Sequence, residues 1–155
     1  MAEFNYQDVE AWNTSVRLAT AVGRLRIGSN LKAAADAQAH AFEQAGLACA
    51  LIAEGSTREG PGQVALYRDA RGALAQSRAW LHVLASVTNE QDSVFGNELD
   101  LAETASRQLS AALRSIERPA PAAGGRPPFR DGPGGRGPGP GPRPGGPPRG
   151  ERSTR

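Results

Sequence analysis

The fold is decided by residues 51–63, which read LIAEGSTREGPGQ. Glycines at 55, 60 and 62 can adopt positive φ without a steric penalty, and Pro61 suits the first turn of a helix, where its missing N–H costs nothing. The stretch therefore predicts a hinge in which one helix ends near Glu54 and the next begins near Pro61. Because one further helix is predicted on each side of this pair, the sequence predicts an all-α fold, an up-down antiparallel four-helix bundle.

Periodic apolar residues define the two helices before the hinge. Asp8 is predicted to cap a first helix with an amphipathic stripe. The stripe comprises Val9, Trp12, Val16, Ala19 and Val22. A second helix is predicted over 31–54 with a heptad seam. The seam comprises Leu31, Ala35, Gln38, Phe42, Ala45, Cys49 and Ile52. Gln38 is its one polar residue, so the amide needs hydrogen-bond partners if it is buried.

The third helix, predicted over 61–87, has a wider apolar arc than one seam needs. Its first face comprises Tyr67, Ala70, Leu74, Ser77, Leu81 and Leu84. A second line repeats every seven residues and comprises Leu66, Ala73, Trp80 and Val87. A helix that is apolar on two adjoining faces either lies centrally in its own bundle or contacts another protomer. We expect a homo-oligomer with this second line at the interface.

Thr88 or Asn89 is predicted to cap the fourth helix, with the acidic stretch at 90–92 in its first turn; Gly96 and Asn97 leave open a start only near Glu98. The seam of this helix comprises Phe95, Leu99, Ala102, Ser106, Leu109, Leu113 and Ile116. Pro119 cannot continue a helix and is predicted to stop it. The sequence therefore divides into a helical bundle over 1–118 and a tail over 119–155.

Charge and composition change abruptly at this boundary. Residues 1–118 carry 11 Lys+Arg and 14 Asp+Glu, a net charge of −3, whereas residues 119–155 carry 7 Arg and 2 acids, a net charge of +5. The tail consists largely of Gly, Pro and Arg and has almost no apolar side chain to offset the entropy of ordering, so it is predicted to be disordered. Its arginines are candidates for binding nucleic-acid phosphates. They are Arg126, Arg130, Arg136, Arg143, Arg149, Arg152 and Arg155.

Residues typical of catalytic and metal sites do not form a recognisable set. Cys49 is the only cysteine, which excludes an intramolecular disulfide and a cysteine-based zinc site. Neither His40 nor His82 follows a Glu at the spacing of a di-metal carboxylate bundle site. We expect no cofactor, no metal and no enzymatic activity. The chain has no apolar run long enough to span a bilayer and no signal-peptide pattern at its N-terminus, so a cytoplasmic location is expected.

Three short motifs, in order, resemble one bacterial four-helix-bundle family. They are YQDVEAW at 6–12, IAEGSTR at 52–58 and ARGAL at 70–74. The family includes proteins encoded in intervening sequences of large-subunit ribosomal RNA genes and the accessory variability determinant of diversity-generating retroelements. The chain departs from the family pattern at Leu51, Ala73 and Gln76, where the family has Asn, Ser and Glu. Glu54, Gly55 and Arg58 fall in the turn motif and are interpreted as structural.

The resemblance implies a bundle that assembles as a ring, a pentamer. For the retroelement members it also implies a positively charged surface that binds nucleic acid and a reverse transcriptase. Because the helical part is net acidic here, we expect cations for phosphate binding only in the tail. Three hypotheses follow: a non-enzymatic oligomeric accessory protein that binds RNA or DNA mainly through the tail, a protein–protein adaptor whose tail is a solubilising linker, and a metal-dependent enzyme.

Overall fold

Four α-helices account for most of residues 5–118, the part of the chain that this computed structural model describes. They are α1 (Glu10–Arg24), α2 (Lys32–Ser56), α3 (Pro61–Thr88) and α4 (Gly96–Glu117). Short 3-10 turns occupy Tyr6–Asp8 and Asp92–Phe95. These residues contain no strand, and the all-α four-helix bundle is confirmed. The predicted disordered tail lies outside the described residues.

The helices form a closed antiparallel arrangement in which each packs against its neighbours in sequence and α1 also packs against α4. The 3-10 turn that precedes α1 lies beside the end of α2, which shows that these two helices run in opposite directions. The core is formed where the four apolar stripes meet, with Leu18, Ile52, Leu74 and Leu109 fully buried. Within the described part of the chain, no helix is both long and apolar enough to cross a membrane.

The pair α2 and α3 forms the most extensive contact of the bundle because the facing side chains are small. The buried alanines of α2 are Ala34, Ala37, Ala41, Ala45 and Ala48. The Ser77 hydroxyl, also fully buried, donates a hydrogen bond of 2.8 Å to the Ala41 carbonyl oxygen across the pair. Small side chains let two helix backbones approach closely, and this polar contact is satisfied within the interface.

The predicted faces are right for α3 and displaced for α1 and α2. All six residues of the first α3 face are buried. In α2, by contrast, Leu31, Ala35 and Phe42 are exposed, whereas Ala45 and Ile52 of the predicted seam are buried beside the neighbouring line of Ala34, Ala41 and Ala48. In α1 the buried line runs through Ala11, Ser15, Leu18 and Val22, so the predicted stripe lies mostly at the edge of the core. The displacement arises because Ala and Ser can fill a tightly packed core and hydrophobic periodicity underestimates them.

Two helix starts also differ from prediction. Val9, not Asp8, occupies the N-cap of α1, because Asp8 belongs to the preceding 3-10 turn. Asn89 ends α3 in the left-handed conformation at φ 55°, and α4 begins only at Gly96. Asn tolerates this conformation, so its preference for caps was recognised correctly but assigned to the wrong helix.

Candidate functional site

An apolar groove runs between the outward sides of α2 and α3 and includes part of the predicted oligomer interface. Trp80 stacks on His40, with ring centroids 4.5 Å apart and an interplanar angle of 26°. Leu66, Trp80 and Val87 are half-buried along this side of α3, whereas Ala73 is 2% exposed and belongs to the core of the protomer. We call this surface the Trp80 groove.

Exposed aliphatic side chains extend the Trp80 groove on both helices. Leu47 lies two turns along α2 from His40, and Val83 lies one turn along α3 from Trp80. Leu47 is 45% exposed and Val83 is 41% exposed. The neighbouring sides of α2 and α3 therefore carry apolar side chains that the protomer itself covers only in part, and exposed apolar surface of this kind can mark an interaction surface.

The hinge residues occupy the turn between α2 and α3. Arg58 forms an ion pair with Glu54 at 2.5 Å, and both side chains are about half exposed. A Cβ placed on Gly55 would lie 2.7 Å from the Tyr67 ring, so glycine is needed here for close packing and not for positive φ. Gly60, which precedes α3, has the positive φ of 62° that the sequence led us to expect in this turn. These contacts are consistent with a structural role for the hinge.

An open cleft of about 810 Å³ lies beside the hinge. It is lined by Asn5, Tyr6, Ser56, Thr57, Arg58, Glu59 and Gln63. The hydroxyls of Ser56 and Thr57 both donate to main-chain carbonyl oxygens at the end of α2, at 2.7 Å in each case. These hydroxyls therefore cap the helix rather than pair with a general base, as a nucleophile would require.

The two histidines form isolated pairs with single carboxylates. His40 Nδ1 lies 3.6 Å from Glu43 Oε2, and His82 Nδ1 lies 3.0 Å from Asp92 Oδ2. Among residues 5–118, no group of three or more His, Cys, Asp or Glu side chains could hold a metal ion. The His40–Glu43 pair connects neighbouring turns of α2. The His82–Asp92 pair connects α3 with the 3-10 turn before α4.

Cys49 lies half-buried in α2. Burial raises the pKa of its thiol from 9.0 to about 11, and a main-chain hydrogen bond opposes this only in part. Because the thiolate is the nucleophilic form, the side chain is poorly reactive near neutral pH.

Arginines also lie along the groove between α3 and α4, but two of them pair with carboxylates, so the expectation that only the tail groups cations for phosphate binding stays a prediction. Arg71 donates to the Ser110 hydroxyl at 3.4 Å, Arg78 lies 3.7 Å from Glu103, and Arg68 pairs with Glu117. A cavity between these helices is lined by Ala75, Arg78, Ala79, His82, Glu103, Ser106, Arg107 and Ser110. Helical spacing places the arginines at 68, 71 and 78 near one side of α3. Their position beside α4 depends on how the two helices pack, which the spacing alone does not give.

The seven candidate nucleic-acid-binding arginines of the tail, from Arg126 to Arg155, lie outside the described residues. Comparison of the chain with protein-family models, curated proteins and solved structures finds no match.

Proposed function

We propose that this protein is a non-enzymatic helical-bundle accessory factor that assembles into a homo-oligomer and binds RNA or DNA mainly through its Arg-rich tail. The charge distribution carries the proposal: a segment of 37 residues holds seven arginines and a net charge of +5, next to a bundle of net charge −3. Closely spaced cations attract the phosphate backbone and release its counterions, which favours binding without requiring a preformed pocket. Arginine additionally forms bidentate contacts with phosphate.

Assembly would multiply the effect of a weak tail. The Trp80 groove is our candidate for the contact between protomers because it exposes Leu47 and Val83 beside a stacked aromatic pair. In an oligomer, several tails could engage one nucleic acid, and each later contact would form at a high effective concentration. The resemblance to the ring-forming family suggests a pentamer and suggests a reverse transcriptase as a further partner.

Deletion of residues 119–155 tests the nucleic-acid part of the proposal. We expect the full chain to bind a fluorescent single-stranded RNA of 30 nucleotides at low salt, with affinity that falls steeply as salt increases. The bundle of residues 1–118 should bind at least about tenfold more weakly, because it lacks the net positive segment. Circular dichroism of both proteins checks that the bundle remains folded, and equal affinity of the two proteins would contradict the proposal.

The exposed apolar strip of the Trp80 groove also favours a second candidate, a protein–protein adaptor whose tail is a solubilising linker. Val83→Glu distinguishes the two uses of this surface. If the groove joins protomers, the substitution should lower the mass measured by light scattering, because it places a charge in an apolar contact. If the groove binds another protein, the mass should stay constant. Because Val83 is already 41% exposed, the variant should fold.

A further inference from the structure

A second apolar face lies on the outward side of α2 and is separate from the Trp80 groove. Leu31 is 55% exposed at the start of this helix, and Phe42 is 49% exposed about three turns later. Between them, on the same side of the helix, lie the small exposed residues Ala35 and Ala39. We call this surface, which comprises residues 31, 35, 39 and 42, the α2 face.

Phe42 defines one edge of the α2 face by lying along α1. A Cβ placed on Gly23 would come within 3.1 Å of the Phe42 ring, so the ring rests against the bare backbone of α1. A shallow groove of about 310 Å³ follows this edge and is lined by Gly23, Ala35, Gln38, Ala39 and Phe42. A large ring beside a strip of alanines provides both a protrusion and a recess on one surface.

The other edge of the α2 face carries charges of both signs. Lys32 donates a hydrogen bond of 2.8 Å to Asp36, one turn further along α2, and Glu43 lies on the same side of the helix. Glu43 is 70% exposed and Lys32 is 89% exposed, so both charged groups are accessible to a partner. The edge thus has a cation near one end and an anion near the other.

We propose that the α2 face binds the same face of a second copy of this chain, with the two α2 helices antiparallel and a two-fold axis passing near Ala37. In this arrangement, a residue that lies a given number of positions before residue 37 in one copy faces the residue the same number of positions after residue 37 in the other copy. Ala35 of one copy then lies against Ala39 of the other. Leu31 comes within one residue, about 1.5 Å along the helix, of the position opposite Phe42. Lys32 comes equally close to the position opposite Glu43.

The charges identify the occupant as a second copy. A two-fold axis perpendicular to the helices keeps the charged edge of both copies on the same side of the contact, so each Lys32 meets a Glu43. The apolar edge is complementary in the same way, because the two largest exposed side chains cover each other at both ends while alanines at the centre allow close approach. One register therefore satisfies the apolar contacts and the charges together.

Phe42→Glu tests the apolar part of the contact in the full-length protein. Sedimentation velocity should show self-association of the wild type, and the variant should raise the dissociation constant by at least about thirtyfold, because each contact loses two of its large apolar anchors. Val94→Glu is the matched control, because Val94 is 55% exposed but lies in the turn before α4. Its association should equal that of the wild type. Unchanged association of Phe42→Glu would overturn the proposal.

A charge-reversal cycle tests the partner's identity. Lys32→Glu should weaken association about three- to tenfold, and adding Glu43→Lys to the same chain should restore it, because the reversed pair can form again across the axis. Both residues are exposed, so neither substitution should unfold the bundle. If the second substitution fails to restore association, a different partner or register covers this face.

A distance measurement separates this contact from assembly through the Trp80 groove. A nitroxide attached to Ala50→Cys, in a Cys49→Ser background, lies 13 residues from the proposed axis, which predicts a separation of about 39 Å between the labelled positions along the helices. Val83→Glu should leave this distance unchanged, and Phe42→Glu should abolish it. The result is independent of nucleic-acid binding, so failure here would leave the proposed function of the tail intact. Absence of a distance near this value would exclude the antiparallel register.

Discussion

Gly55 sets how closely α2 and α3 approach at the hinge. A Cβ at this position would lie 2.7 Å from two carbon atoms of the Tyr67 ring and 3.2 Å from Leu66 Cβ. Since Tyr67 is 3% exposed, its ring cannot move freely into solvent. We therefore expect Gly55→Ala to lower the free energy of unfolding by about 1–3 kcal/mol, the usual cost of overpacking. Urea unfolding followed by circular dichroism measures this change.

Gly72→Ala is the matched control for Gly55→Ala. Gly72 is exposed within α3, and a Cβ there would meet no atom within 4 Å. Alanine reduces the entropy of the unfolded chain and favours helix, so this variant should be more stable than the wild type by about 0.5–1 kcal/mol. If both variants changed stability in the same direction, helix propensity rather than contact with Tyr67 would control position 55.

Cys49 should react slowly in the folded protein. Burial raises the pKa of its thiol from 9.0 to about 11. At pH 8 the folded chain should hold about a hundredfold less thiolate than the unfolded chain, and alkylation by iodoacetamide should be correspondingly slower. The thiol ionises at a lower pH in the unfolded chain than in the folded chain. The Cys49 thiol therefore contributes to the stability of the fold below pH 9, and this contribution is lost as the pH rises towards 11. Equal alkylation rates with and without urea would show that the thiol is not shielded.

At the scale of the elements, the sequence predicted the helices better than the faces they bury. The boundaries of α2 and α3 agree with prediction within two residues, because glycines and Pro61 mark the hinge clearly. The face of α3 was also predictable, since Leu74, Leu81 and Leu84 dominate its pattern. In α2, alanine occurs on every side, and Leu31, Phe42 and Leu47 lie outside the core while Ile52 lies within it, so periodicity alone could not select the buried side.

Gln38 connects α2 to the end of α1. Its amide nitrogen donates to the Val22 carbonyl oxygen at 2.9 Å and to the Leu25 carbonyl oxygen at 3.1 Å. The last carbonyls of a helix lack partners in the regular helical pattern. The Val22 carbonyl oxygen also accepts from the Leu25 N–H at 3.2 Å, so Gln38 adds a second donor there and supplies a donor to the Leu25 carbonyl oxygen. This confirms the expectation that a polar residue in the predicted seam would have hydrogen-bond partners.

Gln38→Ala should therefore loosen the end of α1. We expect a loss of about 1–2 kcal/mol in the free energy of unfolding, because the Leu25 carbonyl oxygen loses the Gln38 donor and the Val22 carbonyl oxygen keeps only the Leu25 N–H. Hydrogen exchange should accelerate near the end of α1 more than in α3. Gln76→Ala is the control, because Gln76 is exposed on α3 and should change stability little. Uniform acceleration across the bundle would indicate general destabilisation instead.

At the scale of the whole molecule, the distribution of charge says more about function than the pockets do. The division between an acidic bundle and a basic tail could be read directly from the sequence. The arginine groove between α3 and α4 could not be placed in the same way, because it depends on which sides of two helices face each other. Arg71 and Ser110 are 39 residues apart in sequence, yet Arg71 Nη1 lies 3.4 Å from Ser110 Oγ. The α2 face was hidden for the same reason.

The salt dependence of RNA binding should report how many tail arginines contact phosphate. For single strands the logarithm of the association constant falls with the logarithm of the salt concentration, with a slope of about −0.7 for each phosphate neutralised. Replacing Arg143, Arg149, Arg152 and Arg155 by Ser should therefore make the slope shallower by up to about 3, measured by fluorescence anisotropy. Replacing the same four residues by Lys is the control and should preserve the slope, because the charge remains. If the Ser variant kept the full slope, the phosphates would be contacted elsewhere, and the groove that contains Arg78 would be the next segment to neutralise.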